Sequence, residues 1–120
     1  MFALRSFLDA GIRATQASDY PPGPIEPMMA LQSEVTRTDS NGNLWGPKQK
    51  ITVDEALRVG TLNGAYASFE EQRKGTLAAG MLADIVVLSK DVIGDAKPLA
   101  AREVTVDYTI FDGKVVFARQ

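Results

Sequence analysis

Apolar positions in the first half of the chain recur at helical spacing and are interrupted by glycine and proline. Phe2–Ala10 places its large apolar side chains on one face, and Gly11 follows where a helix C-cap glycine would stand. Ile12–Ala17 is a short strand candidate that ends at a proline-rich loop, residues 18–24. The next helix is predicted over Pro27–Arg37. This order of elements is typical of α/β proteins.

A polar loop and two short helices follow. The loop, Thr38–Lys50, is rich in turn-forming residues, and we predict that Trp45 anchors it as a buried side chain. Thr52 and Glu55 have the spacing of a capping box, in which each side chain accepts a hydrogen bond from the other residue's backbone N–H. The helix that begins there is predicted to break near Gly60 and to be followed by a second one.

The last third of the chain changes to strand periodicity. Ile85–Leu88 is a short apolar β run, and Val104–Phe111 alternates between two faces. Asp112-Gly113 predicts a two-residue hairpin turn, because both residues tolerate the positive φ of a type I′ turn. Val115–Phe117 is the returning strand, and residues 89–103 are predicted to be a connecting loop.

This order of elements is unusual for an independent domain. One strand followed by helices cannot make a sheet, and a ribbon of two strands is marginally stable in water. The first predicted strand therefore needs partners that this sequence does not supply. The pattern, taken without reference to any family, predicts a fragment or a chain with an obligate partner.

Composition narrows the possible functions. The chain has 120 residues, 45% of them hydrophobic, and 13 basic against 15 acidic side chains. No basic patch stands out, so we expect no nucleic-acid partner. Cysteine is absent, which excludes disulfides and thiolate chemistry. No stretch approaches the roughly 20 apolar residues of a bilayer span, so we expect no membrane partner and, by default, a cytoplasmic location.

One carboxylate is a candidate for catalysis. Asp19 stands immediately before a tyrosine and the proline-rich loop, where an aspartate is ordinarily a turn residue. The chain contains no histidine, the commonest metal ligand in hydrolases. Ser18 lacks a histidine base and is interpreted as a loop hydroxyl. From the residues alone, Asp19 as a turn residue and Asp19 as a catalytic group both remain open.

Eight short segments carry a resemblance to a known family. They are residues 8–12 (LDAGI), 18–21 (SDYP), 30–37 (ALQSEVTR), 51–57 (ITVDEAL), 61–67 (TLNGAYA), 74–77 (KGTL), 80–88 (GMLADIVVL) and 109–116 (TIFDGKVV). Each is unspecific by itself, but the ordered set covers nearly the whole chain. The set resembles the C-terminal part of the amidohydrolase superfamily, in the branch of metal-dependent enzymes that carry a composite β-sandwich domain.

The resemblance implies a fold. The family's fold is a (β/α)8 TIM barrel with a small β-sandwich built from both chain ends. Residues 1–72 would then be the end of the TIM-barrel-like catalytic domain, with Ile12–Ala17 as barrel strand eight in the last βα unit. Residues 73–120 would be the C-terminal strands of the composite sandwich. The chain would be incomplete as a stand-alone barrel.

The resemblance also implies a chemistry. Asp19 would be a metal ligand and the general base of a hydrolase that acts on C–N bonds other than peptide bonds, in small amide-type substrates. The complete site would hold one or two divalent metals, with zinc expected. The family's other ligands are a His-x-His pair, a lysine or carboxylate, and two further histidines, and none of these is present here.

Two expectations follow for the chain by itself. A catalytic zinc takes three protein ligands, so we expect the chain alone to be inactive and to bind no cofactor. We also expect it to self-associate or to pair with the missing barrel portion. The alternative is a non-catalytic, truncated relative that serves as a structural or interaction module. Exposed sheet edges and apolar surface left by missing strands would favour that role.

Overall fold

The helices lie in the first part of the chain and the strands in the last. A computed structural model describes residues 3–21, 23, 25–93 and 103–120. Phe2, Pro22, Pro24 and Pro98, which belong to predicted segments, lie outside the described residues. The elements are helices α1 (Leu4–Asp9), α2 (Pro27–Thr36), α3 (Val53–Gly60) and α4 (Leu62–Ala67), a 3-10 turn (Pro47–Gln49), and strands β1 (Ile85–Leu88), β2 (Val106–Phe111) and β3 (Lys114–Ala118). None of the described helices is long and apolar enough to cross a bilayer.

The first helix ends as its sequence predicts. Gly11 has a φ of +74°. The N–H groups of Gly11 and Ile12 donate to the carbonyls of Leu8 and Phe7, both at 2.9 Å. These two bonds form a Schellman motif, which satisfies carbonyls that the helix itself leaves unpaired. The C-cap prediction at Gly11 is therefore confirmed.

The strand predicted over Ile12–Ala17 is not formed, and that prediction is wrong for this chain. The segment is irregular and runs beside the helices. Asn63 Nδ2 donates to the Ala14 carbonyl at 2.8 Å, and Gln16 Nε2 donates to the Pro27 carbonyl at 3.3 Å. A strand needs a neighbouring strand to pair with, and none of the described strands lies beside this segment. A side chain therefore bonds one carbonyl of the segment, that of Ala14, and the Gln16 side chain ties the segment to the start of α2.

The capping box is present and does more than begin a helix. Glu55 N–H donates to Thr52 Oγ1 at 3.2 Å, and Thr52 N–H donates to Glu55 Oε2 at 2.8 Å. The two guanidinium ends of Arg5 donate to Glu55 Oε2 and Oε1 at 2.9 and 2.8 Å. One carboxylate thus caps α3 and ties α1 to it. Its pKa is lowered from 4.5 to about 2, chiefly by the hydrogen bonds from Arg5.

The three strands form one antiparallel sheet in the order β1-β2-β3. Asp112 and Gly113 have φ of 47° and 75°, so the predicted two-residue hairpin turn is confirmed. The Asp112 N–H donates to Asp84 Oδ1 at 2.9 Å, which fixes the turn against the approach to β1. Every residue of β3 is exposed. The sheet therefore presents apolar surface that nothing among the described residues covers.

One core joins the helices to the β region. Its six buried side chains are Leu4, Leu31, Ile51, Ala56, Val59 and Val104. Ala56 is fully buried, and Leu88 packs against the cluster from the sheet. This core is small for a chain of 120 residues. Because burial of apolar area is the main favourable term in folding, a small core contributes little stability.

Gly75 allows α4 to pack closely against the segment that follows it. A Cβ built on Gly75 would lie 2.9 Å from the Ala65 Cβ and 3.1 Å from the Leu62 Cα. Its φ is +97°. Gly80 has a similar φ of +89° but has open space where a Cβ would be. Substitution of Gly80 would therefore cause backbone strain alone, whereas substitution of Gly75 would cause both backbone strain and steric overlap.

We expect Gly75→Ala to destabilise the protein more than Gly80→Ala. Both variants place a side chain at positive φ, which costs about 1–2 kcal/mol. Only Gly75→Ala also overlaps neighbouring atoms, which adds about 1–3 kcal/mol. Thermal or urea unfolding of the two variants measures the difference. Equal losses would show that α4 does not pack as described.

We expect Glu55→Gln to lower the free energy of unfolding by about 1.5–3 kcal/mol, the range for hydrogen bonds to charged groups. The amide can still cap α3, but it cannot accept both Arg5 bonds. Because the pKa of Glu55 is lowered in the folded state, its contribution exists above pH 4.5 and is lost as pH falls towards about 2.

The matched control is Glu103→Gln, which removes an exposed ion pair with Lys90. Such pairs contribute at most about 1 kcal/mol. Urea unfolding at pH 7 and pH 3 reports both variants. A loss for Glu55→Gln no larger than that of the control would contradict the conclusion that Glu55 links α1 to α3.

Candidate functional site

Asp19 occupies a tight turn at the end of the segment that follows α1. Its φ is 54°, a left-handed conformation that aspartate tolerates better than most residues. The Gly23 N–H donates to the Asp19 carbonyl at 3.3 Å. A Cβ on Gly23 would lie 2.2 Å from the Ser18 carbonyl oxygen, so only glycine fits there. The turn is therefore determined by two residues with special backbone requirements.

The carboxylate of Asp19 is exposed and uncommitted. It makes no hydrogen bond or ion pair with any residue that the structure describes, although a turn aspartate commonly bonds its own backbone. A constrained backbone with a free reactive group is a frequent feature of functional sites. The geometry therefore leaves the Asp19 side chain available to a ligand or to another part of a protein.

Asp19 does not belong to a metal centre within the described chain. Among residues 3–21, 23, 25–93 and 103–120, no three histidine, cysteine, aspartate or glutamate side chains lie together in a group that would hold a metal ion. A catalytic zinc needs three protein ligands. The residues present therefore do not fit a complete zinc site, and Asp19 is the single predicted ligand that the chain offers.

Trp45 is anchored, but not by burial as predicted. Its side chain is 59% exposed, and its indole Nε1–H donates to Asp39 Oδ2 at 2.9 Å. Asp39 also accepts from the backbone of Asn41 and Asn43 and from the Asn43 amide. These donors, with Trp45 first, lower the pKa of Asp39 to about 2. The carboxylate is fully occupied within its loop and is not free to bind a cation.

The Trp45 loop and the segment before Asp19 contact opposite ends of α2. The N-terminus of α2 contacts Gln16, close to Asp19 in sequence. The ten-residue helix then carries the chain about 15 Å away, given 1.5 Å per residue. Trp45 follows the other end of α2. Trp45, whose N–H donates to the Arg37 carbonyl at 2.8 Å, therefore lies at the end of α2 opposite to the one that Gln16 contacts.

Sequence reasoning missed Glu34. Its Oε2 is buried and has no hydrogen-bond partner among the described residues. Burial raises the pKa of Glu34 from 4.5 to about 7, while the charge of Arg37 acts in the opposite direction. Glu34 lies three residues after the buried Leu31 on α2, which places it beside the apolar stripe. That spacing was the available signal.

A cleft of about 280 Å³ lies between α1, α3 and α4, and we call it the arginine cleft. It is lined by Arg5, Leu8, Gly11, Ile12, Arg13, Glu55, Arg58, Val59 and Asn63. The guanidinium carbon of Arg13 lies 4.2 Å from the ring centroid of Tyr66. Asp19 does not line this cleft. Sequence analysis did not predict this cleft, because its lining comes from two distant stretches of the chain, residues 5–13 and 55–63.

Comparison with known proteins gives a consistent result. The family described as "Amidohydrolase family" matches residues 1–117. N-substituted formamide deformylase from Arthrobacter pascens is 37% identical over 119 residues, which are 99% of this chain and 22% of that protein. The chain therefore spans about a quarter of the length of such relatives.

Solved structures show the same fold. An amidohydrolase from Thermotoga maritima superposes with a TM-score of 0.72 at 21% identity, over 97% of this chain and 26% of that one. E. coli guanine deaminase superposes with a TM-score of 0.69 at 18% identity, over 98% of this chain and 30% of that one. The helices and the small antiparallel sheet thus match part of a larger known architecture.

We expect stability to fall as pH rises from about 4.5 through about 7 because of Glu34. The folded state holds a proton on this carboxyl in that range, whereas the unfolded chain does not, so folding is favoured below the range. Glu34→Gln should remove the fall and be more stable than the parent at pH 8. Thermal unfolding between pH 4 and 8 measures this. The chain has no histidine, so no imidazole titrates in the same window.

The matched control is Glu26→Gln, an exposed carboxyl just before α2. It should keep the parent's pH dependence. If Glu34→Gln has the same pH profile as the parent, the burial of Glu34 does not control this dependence.

Proposed function

Because the chain belongs to the amidohydrolase family, we propose that it is the C-terminal portion of a metal-dependent hydrolase acting on C–N bonds other than peptide bonds. The family match over residues 1–117 supports the class of enzyme. The name of the formamide deformylase relative supports a small amide-type substrate. The length ratio supports a larger polypeptide as the active unit.

The observation that carries the proposal is the free carboxylate of Asp19 in its constrained turn. In hydrolysis, the attacking water loses a proton, and the leaving nitrogen must gain one. In our proposal Asp19 accepts the first proton and donates it to the leaving group, which is general acid–base catalysis by one residue. Such a group must be accessible to the substrate; Asp19 is exposed, its backbone is constrained by the turn, and its carboxylate has no partner among the described residues.

The metal would depend on residues outside the described chain. The described residues do not form a zinc site by themselves. In the proposal, Asp19 is one ligand and the remaining ligands, histidines among them, come from the rest of a longer protein. Zinc is the ion expected. The chain by itself would then be inactive.

The proposed architecture follows from the same premise. Residues 1–72 would be the end of a (β/α)8 barrel, with 12–17 pairing as strand eight once its neighbours are present. Residues 73–120 would supply the C-terminal strands of a composite β-sandwich. Two features support this: the segment 12–17 has no strand partner here, and the β3 residues are all exposed.

A second candidate function is a non-catalytic structural or interaction module. The exposed apolar side chains of the sheet favour it, since patches of this kind commonly mark interfaces. Phe111, Val116 and Phe117 are 64%, 62% and 48% exposed. In this proposal the chain would self-associate or bind another polypeptide through the sheet.

We expect Asp19→Asn to reduce kcat by about 100- to 10,000-fold in a polypeptide that includes this chain and the segments present in its relatives. Asparagine tolerates the same left-handed backbone, so the fold is kept. Hydrolysis of an N-substituted formamide, followed by release of the amine, measures the effect. The control is Asp54→Asn, which removes an exposed pair with Arg58 and should leave kcat unchanged.

Two results would contradict the proposal. Full activity of Asp19→Asn would remove Asp19 from the chemistry. Activity of the 120-residue chain alone would show that it does not depend on ligands from outside, and would therefore overturn the partial-site proposal.

A further inference from the structure

The lining of the arginine cleft has more basic than acidic residues. Three arginines are among its lining residues, Arg5, Arg13 and Arg58, with a single acidic residue, Glu55. The lining therefore carries more positive than negative side chains, although the whole chain has a formal net charge of -2. Arg5 and Arg58 are paired with acidic side chains, so the positive charge most available to an anion is that of Arg13.

The three arginines are committed to different degrees. Arg5 uses both terminal nitrogens on Glu55, and its Nε lies 2.9 Å from Asp9 Oδ1. Arg58 uses its Nε on Asp54 at 3.0 Å. Arg13 donates no hydrogen bond to any residue in the described ranges, so its N–H groups are open to an incoming acceptor.

Tyr66 holds Arg13 in position. The guanidinium lies over the ring at 4.2 Å, which is within the range of cation–π contacts. This contact restrains the guanidinium, while the N–H groups along its edge donate to no residue in the described ranges. The edge is the part that binds a carboxylate in a two-bond fork. Arg13 is therefore prepared for a planar anion before one arrives.

The rest of the cleft is apolar. Leu8, Ile12 and Val59 contribute the aliphatic part of the lining, and Ile12 is 52% exposed. Asn63 is already bonded to the Ala14 carbonyl through its Nδ2. A ligand that uses the whole cleft would place an anionic group at Arg13 and a small apolar group over these side chains.

We propose that the arginine cleft binds a carboxylate anion that carries a small apolar group. The carboxylate forms a fork with the edge of Arg13, and Arg58 adds charge at its terminal nitrogens. The apolar group removes water from the Leu8, Ile12 and Val59 side chains. At about 280 Å³ the cleft lies at the lower end of the range for small-molecule sites, which begins at roughly 300 Å³, so it suits only a small ligand.

The test is a titration of the 120-residue chain with benzoate, in which binding is monitored through the amide chemical shifts in NMR spectra. We expect saturable shifts at residues of the cleft, weaker binding at higher salt, and much weaker binding of neutral benzyl alcohol. Arg13→Gln should weaken benzoate binding about ten-fold, the effect of one charge-assisted hydrogen bond. Arg13→Lys keeps the charge but loses the fork, and should have intermediate affinity.

The control is Arg119→Gln, which removes an exposed cation paired with Asp107 and should not change benzoate binding. The same titration on a polypeptide that also carries the segments present in the relatives separates two sources of the carboxylate. Binding there indicates a free molecule. Binding only to the 120-residue chain indicates that an acidic side chain of the longer polypeptide occupies the cleft.

Three results would overturn the proposal. They are the absence of saturable benzoate binding to the chain, equal binding by Arg13→Gln and the parent, and equal affinity for benzoate and benzyl alcohol. Arg13 is exposed, so the amide spectra of its variants should match that of the parent and report binding rather than unfolding.

Discussion

The helical part of the chain depends on one carboxylate, that of Glu55. It accepts two hydrogen bonds from Arg5 and one from the Thr52 backbone, so it joins a distant helix to the start of its own. Leu4 and Val59, one on each of these helices, are buried in the same core. A core of six side chains buries little apolar area and so contributes little free energy of folding. The ionic link between the two short helices adds to that free energy, which must offset the loss of conformational entropy on folding.

The same link determines where the open surfaces lie. Arg5 and Glu55 form part of the arginine cleft, and their mutual bonds leave Arg13 as the uncommitted cation. Segment 12–17 passes this cleft and then reaches the turn of Asp19. None of the described strands pairs with it; the Asn63 side chain bonds its Ala14 carbonyl, and its own Gln16 side chain bonds the Pro27 carbonyl. Both functional proposals thus concern surfaces where, among the described residues, a charged side chain lacks a hydrogen-bond partner or a segment lacks a neighbouring strand.

Local features of the structure were predictable from the sequence, and non-local ones were not. The capping box at Thr52 and the hairpin turn at Asp112 depend on residues within four positions, and both are present. Strand 12–17 depends on neighbours that the described chain lacks, so its apolar pattern did not suffice. Trp45 was expected to be buried, but Asp39 satisfies its indole at the surface instead. Glu34 was passed over because a single acidic residue beside an apolar stripe reads as surface until its burial is known.

Asp19 has a backbone conformation that depends on local residues and a proposed role that depends on distant ones. Its turn is local, since Gly23 must approach the Ser18 carbonyl and Asp19 must accept positive φ. The conformation of the carboxylate's backbone therefore does not require strand 12–17 to be paired. A group held by its own turn can be in place before the surrounding sheet is complete, whereas metal binding needs several distant ligands at once. The turn proposed to carry the general base can thus form from local residues alone, whereas the proposed metal site needs ligands beyond the described residues.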